Sequence, residues 1–325
     1  MQAVIWTAYG APDVLQLQEV AKPTPKANEL LIKVHAATVT AGDCELRTLQ
    51  LPMMYRLPLR AYVGLRKPQR ITILGQELAG EVEAVGQAVT RFKPGDQIFA
   101  ATAFRFSAYA EYTCLPETHP IAIKPANVRY EEAATIPTGG INALHFLQKA
   151  NVQAGEHVLI NGAGGSIGTY GVQLAKQMGA EVTAVDSAGK LAMLTAIGAD
   201  HVIDYTQTDF TQTGVLYDVI IDVVGKSPFA ATVQALKPQG RYVLGNPSLA
   251  GVLRGQLVSR RTEKKVIAEM AGYKPEALRF LQAQMAAGNL KAVIDRRYPL
   301  AQTAEAHRYV ETGQKAGNVI ITIQE

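Results

Sequence analysis

Residues 157–186 read HVLINGAGGSIGTYGVQLAKQMGAEVTAVD, and the architecture of the chain follows from this stretch. It opens with the apolar run 158–160, which is typical of a fully buried strand. Glycines follow at positions 162, 164, 165 and 168, and an amphipathic segment ending at Gly179 predicts a helix. A second apolar run, 182–185, ends in the acid Asp186. The order is strand, glycine turn, helix and strand, which is one βαβ unit.

The spacing of the glycines indicates what each of them does. Gly162 permits a tight turn after the strand, and Gly165 leaves room for backbone to approach a pyrophosphate. Gly168 lets the helix lie close to the sheet. The amide groups at the start of the helix, with the positive end of its dipole, form an anion site. Glycine-rich turns also end strands for local reasons, but inside a βαβ unit this spacing predicts a bound dinucleotide.

Length and composition limit the class of protein. A chain of 325 residues predicts two domains, and a net charge of +4 is too small to indicate nucleic acid. Cys44 and Cys114 cannot build a disulfide framework, which favours free thiols in a reducing compartment. The N-terminus lacks the features of a signal peptide, and no apolar run reaches the roughly 18 residues that span a bilayer. We therefore expect a cytoplasmic protein with neither a nucleic-acid nor a membrane partner.

The chain divides into three segments by pattern. Alternating runs between turn clusters predict a β-rich domain over residues 1–124. Helical segments and apolar strands then alternate over residues 125–270, which predicts an α/β fold with a doubly wound parallel sheet. A last strand at the edge of that sheet is predicted from Val266, and such edges often pair between subunits. Residues 271–325 begin with a helix from Pro275 and return to strand alternation.

An unusual insert, RTLQLPMMYRLPLRAYVGLRKPQR, occupies residues 47–70. It contains six Arg and Lys side chains, and no acid occurs from Leu46 to Gln76. We interpret it as a solvated loop whose apolar residues pack on the domain, because basic runs are usually solvated faces. The alternative is a surface for an anionic or amphipathic partner.

Several motifs in order make the chain similar to a known family along nearly its whole length. It resembles the medium-chain dehydrogenase/reductase superfamily, in particular the zinc-independent quinone oxidoreductase (zeta-crystallin-like) branch. The motifs are GQELAGEVEAVG at 75–86, FKPGDQI at 92–98, AATIP at 133–137, GAGGSIG at 162–168, GADHVIDY at 198–205 and AGNVI at 316–320. The resemblance implies a GroES-like catalytic domain over 1–124, completed by 271–325, and a Rossmann domain over 125–270, separated by a cleft. It also implies a homodimer.

The resemblance also implies that zinc is absent. Zinc-dependent relatives carry cysteine, histidine and cysteine near the positions of Thr40, Gln76 and Thr138, and none of these three residues is a normal zinc ligand. Alcohol oxidation in those relatives needs a Lewis acid. Without one, the reaction implied is hydride transfer from a reduced nicotinamide to an electron-poor acceptor, either a quinone or an α,β-unsaturated carbonyl.

Four residues are candidates for contacts with the carbonyl oxygen of the acceptor: Thr40, Asp43, Gln76 and Tyr55. The branch often has a tyrosine shortly after the position of Asp43, but this chain has Cys44 and Glu45 there. Tyr55 in the insert is the candidate to replace it as proton donor. Each of the four also has a purely structural interpretation.

The cofactor preference rests on opposing charges. Asp186 lies where an acid binds the ribose hydroxyls of NAD and would repel a 2′-phosphate. Lys190 and Tyr205 match positions that NADPH-dependent relatives use around that phosphate, although they could instead cap a turn and pack in the core. We expect NADPH and leave NADH open. The cofactor contacts implied are Thr138, Gly162, Gly164, Gly165, Ser166, Ile167, Gly168, Asp186, Ser187, Lys190, Tyr205, Val223, Val224, Asn246 and Asn318.

Two other functions stay open at this point. One is an enoyl-thioester reductase, in which the arginines of the insert would hold an anionic carrier. The other is a non-catalytic regulatory or structural protein that binds the cofactor.

Overall fold

A computed structural model describes residues 1–50 and 53–324, the side chains of residues 53–55 excepted. The chain forms two compact units: residues 1–138 with 273–325 form unit 1, and residues 139–272 form unit 2. The boundaries predicted after residues 124 and 270 stay predictions. In the part of the chain that is described, no helix is long and apolar enough to cross a membrane.

The helices and strands are as follows. Up to residue 149 they are β1 (Gln2–Trp6), β2 (Leu15–Glu19), β3 (Glu29–Val39), α1 (Ala41–Thr48), α2 (Met53–Val63), β4 (Glu77–Val85), β5 (Gln97–Ala101), β6 (Tyr112–Pro116), β7 (Ile121–Ile123), α3 (Tyr130–Ala134) and α4 (Ile136–Lys149). Next come β8 (His157–Asn161), α5 (Ser166–Gln177), β9 (Glu181–Asp186), α6 (Leu191–Ala196), β10 (His201–Asp204), β11 (Tyr217–Asp222), α7 (Phe229–Gln234), β12 (Leu236–Leu244), α8 (Leu249–Arg261) and β13 (Lys265–Ile267). The last are α9 (Pro275–Ala286), β14 (Ile294–Pro299), α10 (Thr303–Glu311) and β15 (Asn318–Thr322). Short 3-10 helices lie at Pro12–Val14, Ala103–Arg105, Ala188–Lys190, Phe210–Gln212 and Leu300–Gln302.

Unit 2 is built on a six-stranded parallel sheet in the order β10-β9-β8-β11-β12-β13. The order reverses between β8 and β11, as in the doubly wound dinucleotide-binding fold. Val158, Leu159 and Ile160 of β8 are almost completely buried, as a strand covered on both faces requires. The predicted α/β class and the edge strand near Val266 are therefore confirmed.

Unit 1 contains a seven-stranded sheet in the order β14-β15-β3-β4-β5-β7, with β6 also paired to β3. The strand β15 from the C-terminal segment pairs antiparallel with β3, so this segment completes the sheet of the N-terminal one. Residues Leu30, Ile32 and Val34 of β3 alternate into the core with exposures near zero. The long strand β3 leads directly into α1, which positions the candidate catalytic residues.

The interpretation of residues 47–70 as a loop is wrong over Met53–Val63, which form helix α2. Its apolar residues do not all pack on the domain, since Leu57 is 68% exposed, and so is Leu65 in the following turn. Arg47 does not contribute to a basic surface, because it is buried in α1 and paired with Glu311. The helix forms although Pro58 lies inside it. Leu59 and Val63 are four residues apart, so both lie on its inner side.

Candidate functional site

The glycine turn after β8 has the geometry that its spacing predicts. Gly162 has a φ of +83°, and a Cβ there would lie 2.5 Å from Cγ2 of Val224. A Cβ on Gly168 would overlap the backbone of Gly162 and Ala163, so only glycine allows α5 to start this close to the turn. A Cβ on Gly164 would lie 2.5 Å from the Lys190 side chain. The turn is therefore packed on three sides by groups that do not tolerate a side chain.

Helix α5 starts at Ser166 without a side-chain cap, because its N-cap residue is Gly165. The amides of a first helical turn have no acceptor within the helix, and they carry the positive end of its dipole. Ser166 and Ile167 are half-buried at this position. The arrangement fits the pyrophosphate of a dinucleotide, since it offers amides and no side chain in the way.

Asp186 at the end of β9 is bound on both of its carboxylate oxygens. Oδ2 accepts the N–H of Gly164 at 2.8 Å, and Oδ1 accepts the N–H of Ser187 at 2.9 Å. The Nζ of Lys190 lies 2.9 Å from Oδ1, and both side chains of this ion pair are 9% exposed. Asp186, which indicates NADH, and Lys190, which indicates NADPH, are thus paired with each other, and Asp186 is bound to the glycine turn.

Tyr205 lies just after β10 with its N–H donated to the carbonyl of Asp186 at 3.2 Å. The side chain is 60% exposed, so the alternative that it packs in the core is wrong. The Lys190 ammonium pairs with Asp186. Ser187, Lys190 and Tyr205 therefore surround Asp186 at the carboxyl ends of two adjacent strands.

Val223 and Val224 follow β11 and pack against the turn at Gly162. Asn246, which follows β12, is exposed and approaches Gly225. The structure therefore brings these residues to the same edge of the sheet as the glycine turn. Asn318 lies in unit 1, where it is buried and its Nδ2 donates to the carbonyl of Val293 at 3.1 Å.

The sequence analysis missed Asp222 in unit 2. This acid ends β11, is fully buried, and accepts hydrogen bonds from Asn161 Nδ2 at 3.0 Å, from the N–H of Gly225 at 2.9 Å and from the Tyr242 hydroxyl at 3.1 Å. It fixes the ends of β8, β11 and β12 beside the glycine turn. An acid at the carboxyl end of an apolar strand was the signal that could have found it.

Three of the candidate catalytic residues form one hydrogen-bonded group in unit 1. Thr40 is the N-cap of α1 and forms a capping box with Asp43. The Thr40 hydroxyl donates to Asp43 Oδ2 at 2.7 Å and accepts from Gln76 Nε2 at 3.0 Å. The N–H of Gly75 donates to Asp43 Oδ1 at 3.1 Å. This group joins the start of α1 to the residues before β4.

Gln76 is half-buried, whereas Thr40 and Asp43 are buried. Its amide has two N–H groups, one of which reaches Thr40. The other can donate to a carbonyl oxygen. The close approach depends on Gly42, where a Cβ would lie 2.5 Å from Gln76 Nε2.

Two carboxyl groups are buried here, Asp43 within this group and Glu77 directly after Gln76 in the chain. Burial raises the pKa of Asp43 to about 6, against the hydrogen bonds from Thr40 and Gly75, which lower it. Burial likewise raises the pKa of Glu77 to about 7, against hydrogen bonds from Thr38 and Thr138. Glu77 accepts the N–H of Thr138 at 2.6 Å and the Thr38 hydroxyl. Burial therefore raises the pKa of both acids toward neutral pH.

Sequence reasoning did not identify Tyr109 as part of this site. Tyr109 is fully buried and donates its hydroxyl to the carbonyl of Thr38 at 3.1 Å. Burial raises its pKa well above the usual value. No motif marks Tyr109, whereas Glu77 directly follows Gln76. The side chain of Tyr55, the fourth candidate, lies outside the described residues.

The donor set at the family's zinc positions does not fit zinc. Thr40 and Gln76 contact each other through a hydroxyl and an amide, and Thr138 contacts Glu77 through its backbone. Zinc prefers thiolate, imidazole and carboxylate ligands. Among residues 1–50 and 53–324, no three His, Cys, Asp or Glu side chains form a group that could hold a metal ion.

Comparison with known proteins places this geometry among oxidoreductases. Residues 26–126 match the model of the alcohol dehydrogenase GroES-like domain, and residues 197–321 match that of a zinc-binding dehydrogenase. The chain is 32% identical to 2-methylene-furan-3-one reductase of Solanum lycopersicum, over 99% of this chain and 79% of that protein. It is 30% identical to the chloroplastic NADPH-dependent alkenal/one oxidoreductase of Arabidopsis thaliana, with the same coverage. The solved structure of quinone oxidoreductase from Coxiella burnetii has a TM-score of 0.88 at 28% identity, covering 100% of this chain and 99% of that one.

Proposed function

Because the chain belongs to the medium-chain dehydrogenase/reductase superfamily, in its quinone oxidoreductase (zeta-crystallin-like) branch, we propose that it reduces quinones or α,β-unsaturated carbonyl compounds with NADPH. The observation that carries this proposal is the glycine turn before α5, with its uncapped amides and the Asp186–Lys190 pair beside it. The reduced nicotinamide supplies the hydride when it is bound. The names of the two relatives support the class of acceptor.

We assign to Gln76 the hydrogen bond to the acceptor's carbonyl oxygen. Reduction places negative charge on that oxygen, and a fixed N–H donor stabilises the charge. Thr40 holds one N–H of the amide, and Asp43 holds Thr40 through its hydroxyl. Thr40 and Asp43 are therefore positioning residues in this proposal, and Gln76 is the catalytic one.

The proposed reaction proceeds without zinc. Its support is the donor chemistry at positions 40, 76 and 138, where a hydroxyl, an amide and a second hydroxyl replace the usual ligands. A conjugated acceptor suits such a site, because its own conjugation spreads the charge that the hydride brings.

The proposed preference for NADPH rests on the neutral Asp186–Lys190 pair. The lysine offsets the negative charge that would otherwise repel a 2′-phosphate. Tyr205 follows the adjacent strand, where its N–H donates to the carbonyl of Asp186 and its side chain is exposed. The relative with NADPH in its name supports the same choice.

We also propose a homodimer in a reducing compartment, the cytoplasm. The strand β13 is the last of its sheet, so its outer edge is available for pairing with a second copy. Cys44 and Cys114 are free thiols, which fits a reducing environment.

The test is steady-state oxidation of NADPH with three panels of acceptors: quinones, α,β-unsaturated ketones and aldehydes, and enoyl thioesters. We expect turnover with the first two panels and little with the third. Turnover with enoyl thioesters alone would favour the enoyl-thioester reductase. Tight NADPH binding without turnover of any acceptor would favour a non-catalytic protein. Elemental analysis of the active protein tests the role of zinc in the same preparation.

A further inference from the structure

Helix α2 and the turn after it have an unusual surface. The exposed side chains Leu57, Pro58, Ala61 and Tyr62 are spaced so that they share the outer side of the helix. The inner side carries Leu59 and the buried Val63. A surface helix normally turns its polar face outward. Here the outer face is apolar, and it continues into Leu65, which like Leu57 is 68% exposed.

Five cations lie in the same segment. Arg56 and Arg60 are on the side of α2 that carries Leu59 and Val63, and Arg66, Lys67 and Arg70 follow the helix. The sequence has no acid from Leu46 to Gln76. In the described part of the chain, none of the five forms an ion pair with a carboxylate. Arg60 and Arg70 lie over the rings of Tyr9 and Tyr62, contacts that leave their charge uncompensated.

The segment is held in place. The Tyr9 hydroxyl donates to the carbonyl of Gly64 at 2.7 Å, and Arg60 Nε donates to the carbonyl of Leu65 at 2.6 Å. The backbone amides of Gln69 and Arg70 both donate to the carbonyl of Val63 at 3.0 Å. The exposure of the leucines is therefore a feature of an ordered segment.

The two ends of this segment meet at the candidate catalytic group. Asp43 precedes it and Gly75 follows it, and the two are joined by the hydrogen bond from Gly75 N–H to Asp43 Oδ1 at 3.1 Å. Gln76 and Thr40 form a second connection at 3.0 Å. The segment that carries α2 thus begins and ends at the residues that would receive the acceptor.

We propose that α2 and residues 64–70 dock the protein on an anionic lipid bilayer surface. An apolar helix face with Arg and Lys around it is the pattern of helices that lie in the membrane interface. The leucines would enter the headgroup region, and each cation near an anionic surface adds about 1 kcal/mol. This departs from the expectation of no membrane partner, and it goes beyond the proposed activity, since docking does not require catalysis.

The test is co-sedimentation of the full chain with phosphatidylcholine vesicles that contain or lack phosphatidylglycerol. We expect binding only with phosphatidylglycerol, and its loss when salt is raised from about 0.1 M to about 1 M. The R66E/K67E variant should bind about tenfold or more weakly. The L57S/L65S variant should also lose binding, because it removes the groups that enter the lipid.

Helix α8 provides matched controls, because it also exposes leucines and arginines. R260E/R261E makes the same change of net charge, and L253S/L257S removes two leucines that are 59% and 48% exposed. Both controls should bind vesicles as the wild type does. Equal losses in the controls, or no binding of the wild type to anionic vesicles, would overturn the proposal.

Two other occupants give different results. If a second copy covers α2, sedimentation velocity will show a dimer that L57S/L65S dissociates, and vesicles will not bind. If an acidic protein covers it, polyglutamate will bind in a salt-sensitive way and vesicles will not. Either result refutes the bilayer. Turnover of a water-soluble quinone by R66E/K67E should equal that of the wild type, so a failure of docking and a failure of the proposed activity are distinguishable.

Discussion

The glycine turn of unit 2 and the Thr40–Asp43–Gln76 group of unit 1 differ in the part of the chain that each offers to its proposed ligand. The turn offers backbone amides. Its close packing requires glycine at positions such as Gly168, where a side chain would overlap the backbone. The group in unit 1 offers an amide side chain whose direction depends on two further side chains. Substitutions should therefore damage the first site by adding atoms and the second by removing them.

This difference also separates binding from catalysis. Damage to the turn should weaken binding of the cofactor, with a loss of stability where backbone has to move. Damage to the group in unit 1 should leave cofactor binding intact and lower the rate. The following variants test that separation, beginning with the largest expected effect at each of the two sites.

Gly168→Ala should have the largest effect on the cofactor. The added Cβ would overlap the backbone of Gly162 and Ala163, so the start of α5 must move and take its amides with it. We expect the dissociation constant for NADPH, measured by isothermal titration calorimetry, to rise about hundredfold. Gly171→Ala in the same helix is the control, since its Cβ would meet only Cδ1 of Ile160 at 3.3 Å. Equal affinity for NADPH in both variants would contradict the assignment of the anion site to the start of α5.

Gln76→Leu should have the largest effect on the rate. It removes the proposed hydrogen bond to the acceptor's oxygen, and loss of one such donor costs about 10²–10³ in kcat. The dissociation constant for NADPH should stay that of the wild type. Steady-state kinetics with a quinone measures the first quantity and calorimetry the second. A kcat equal to that of the wild type would remove Gln76 from the mechanism.

Glu77→Gln should change how stability depends on pH. Its pKa is raised from 4.5 to about 7 in the folded protein, so the folded state binds more protons than the unfolded state between these values. The free energy of unfolding should therefore fall as pH rises through this range, by up to about 3 kcal/mol for this group. Asp43 contributes a similar fall that ends near pH 6. Burial lowers the pKa values of His35, His119, His157 and His307 from 6.5, so these histidines contribute in the opposite direction. The difference in slope between the variant and the wild type therefore isolates Glu77.

The glutamine is a good probe because it can keep both hydrogen bonds: its oxygen can accept from Thr138 and its amide can donate to the Thr38 hydroxyl. Urea unfolding from pH 5 to pH 8 measures the effect. We expect the decline between about pH 6 and about pH 7 to flatten in the variant. An unchanged slope would mean that Glu77 is ionised throughout this range.

Asp186→Ser should shift the cofactor preference about tenfold toward NADPH. The substitution removes the acceptor for ribose hydroxyls. In the wild type the Lys190 ammonium pairs with Asp186, so the substitution also frees this ammonium to bind a 2′-phosphate. Lys190→Ala should shift the ratio in the opposite direction, because it leaves the carboxylate uncompensated. The ratio of kcat/KM for NADPH and NADH measures both. If neither variant changes the ratio, the pair serves only to hold the turn at Gly164.

Much of the architecture followed from local patterns. The glycine spacing, the apolar runs of β8 and β9 and the edge strand near Val266 all depend on neighbours in sequence, and these predictions are confirmed. The insert was harder, because its apolar residues suggested packing that Leu57 does not make. The pairing of Asp186 with Lys190 could be guessed from their spacing, but not that both oxygens of the acid would be occupied. Tyr109 and Gln76 come together with α1 only through the tertiary fold, so no local pattern reveals their partners.

Gly42→Ala should have the smallest effect of these variants. No motif marks this glycine. The new Cβ would lie 2.5 Å from Gln76 Nε2, the free end of a flexible side chain, so the amide can move away at little cost. Alanine also favours a helix over glycine by up to about 1 kcal/mol. The variant should thus be as stable as the wild type or slightly more so in thermal unfolding, while its kcat falls. Gly168→Ala in unit 2 should show the reverse relation, with lost binding and lost stability together. If Gly42→Ala instead keeps full activity, Gln76 does not need its contact with Thr40, and the two sites differ less than their hydrogen bonds indicate.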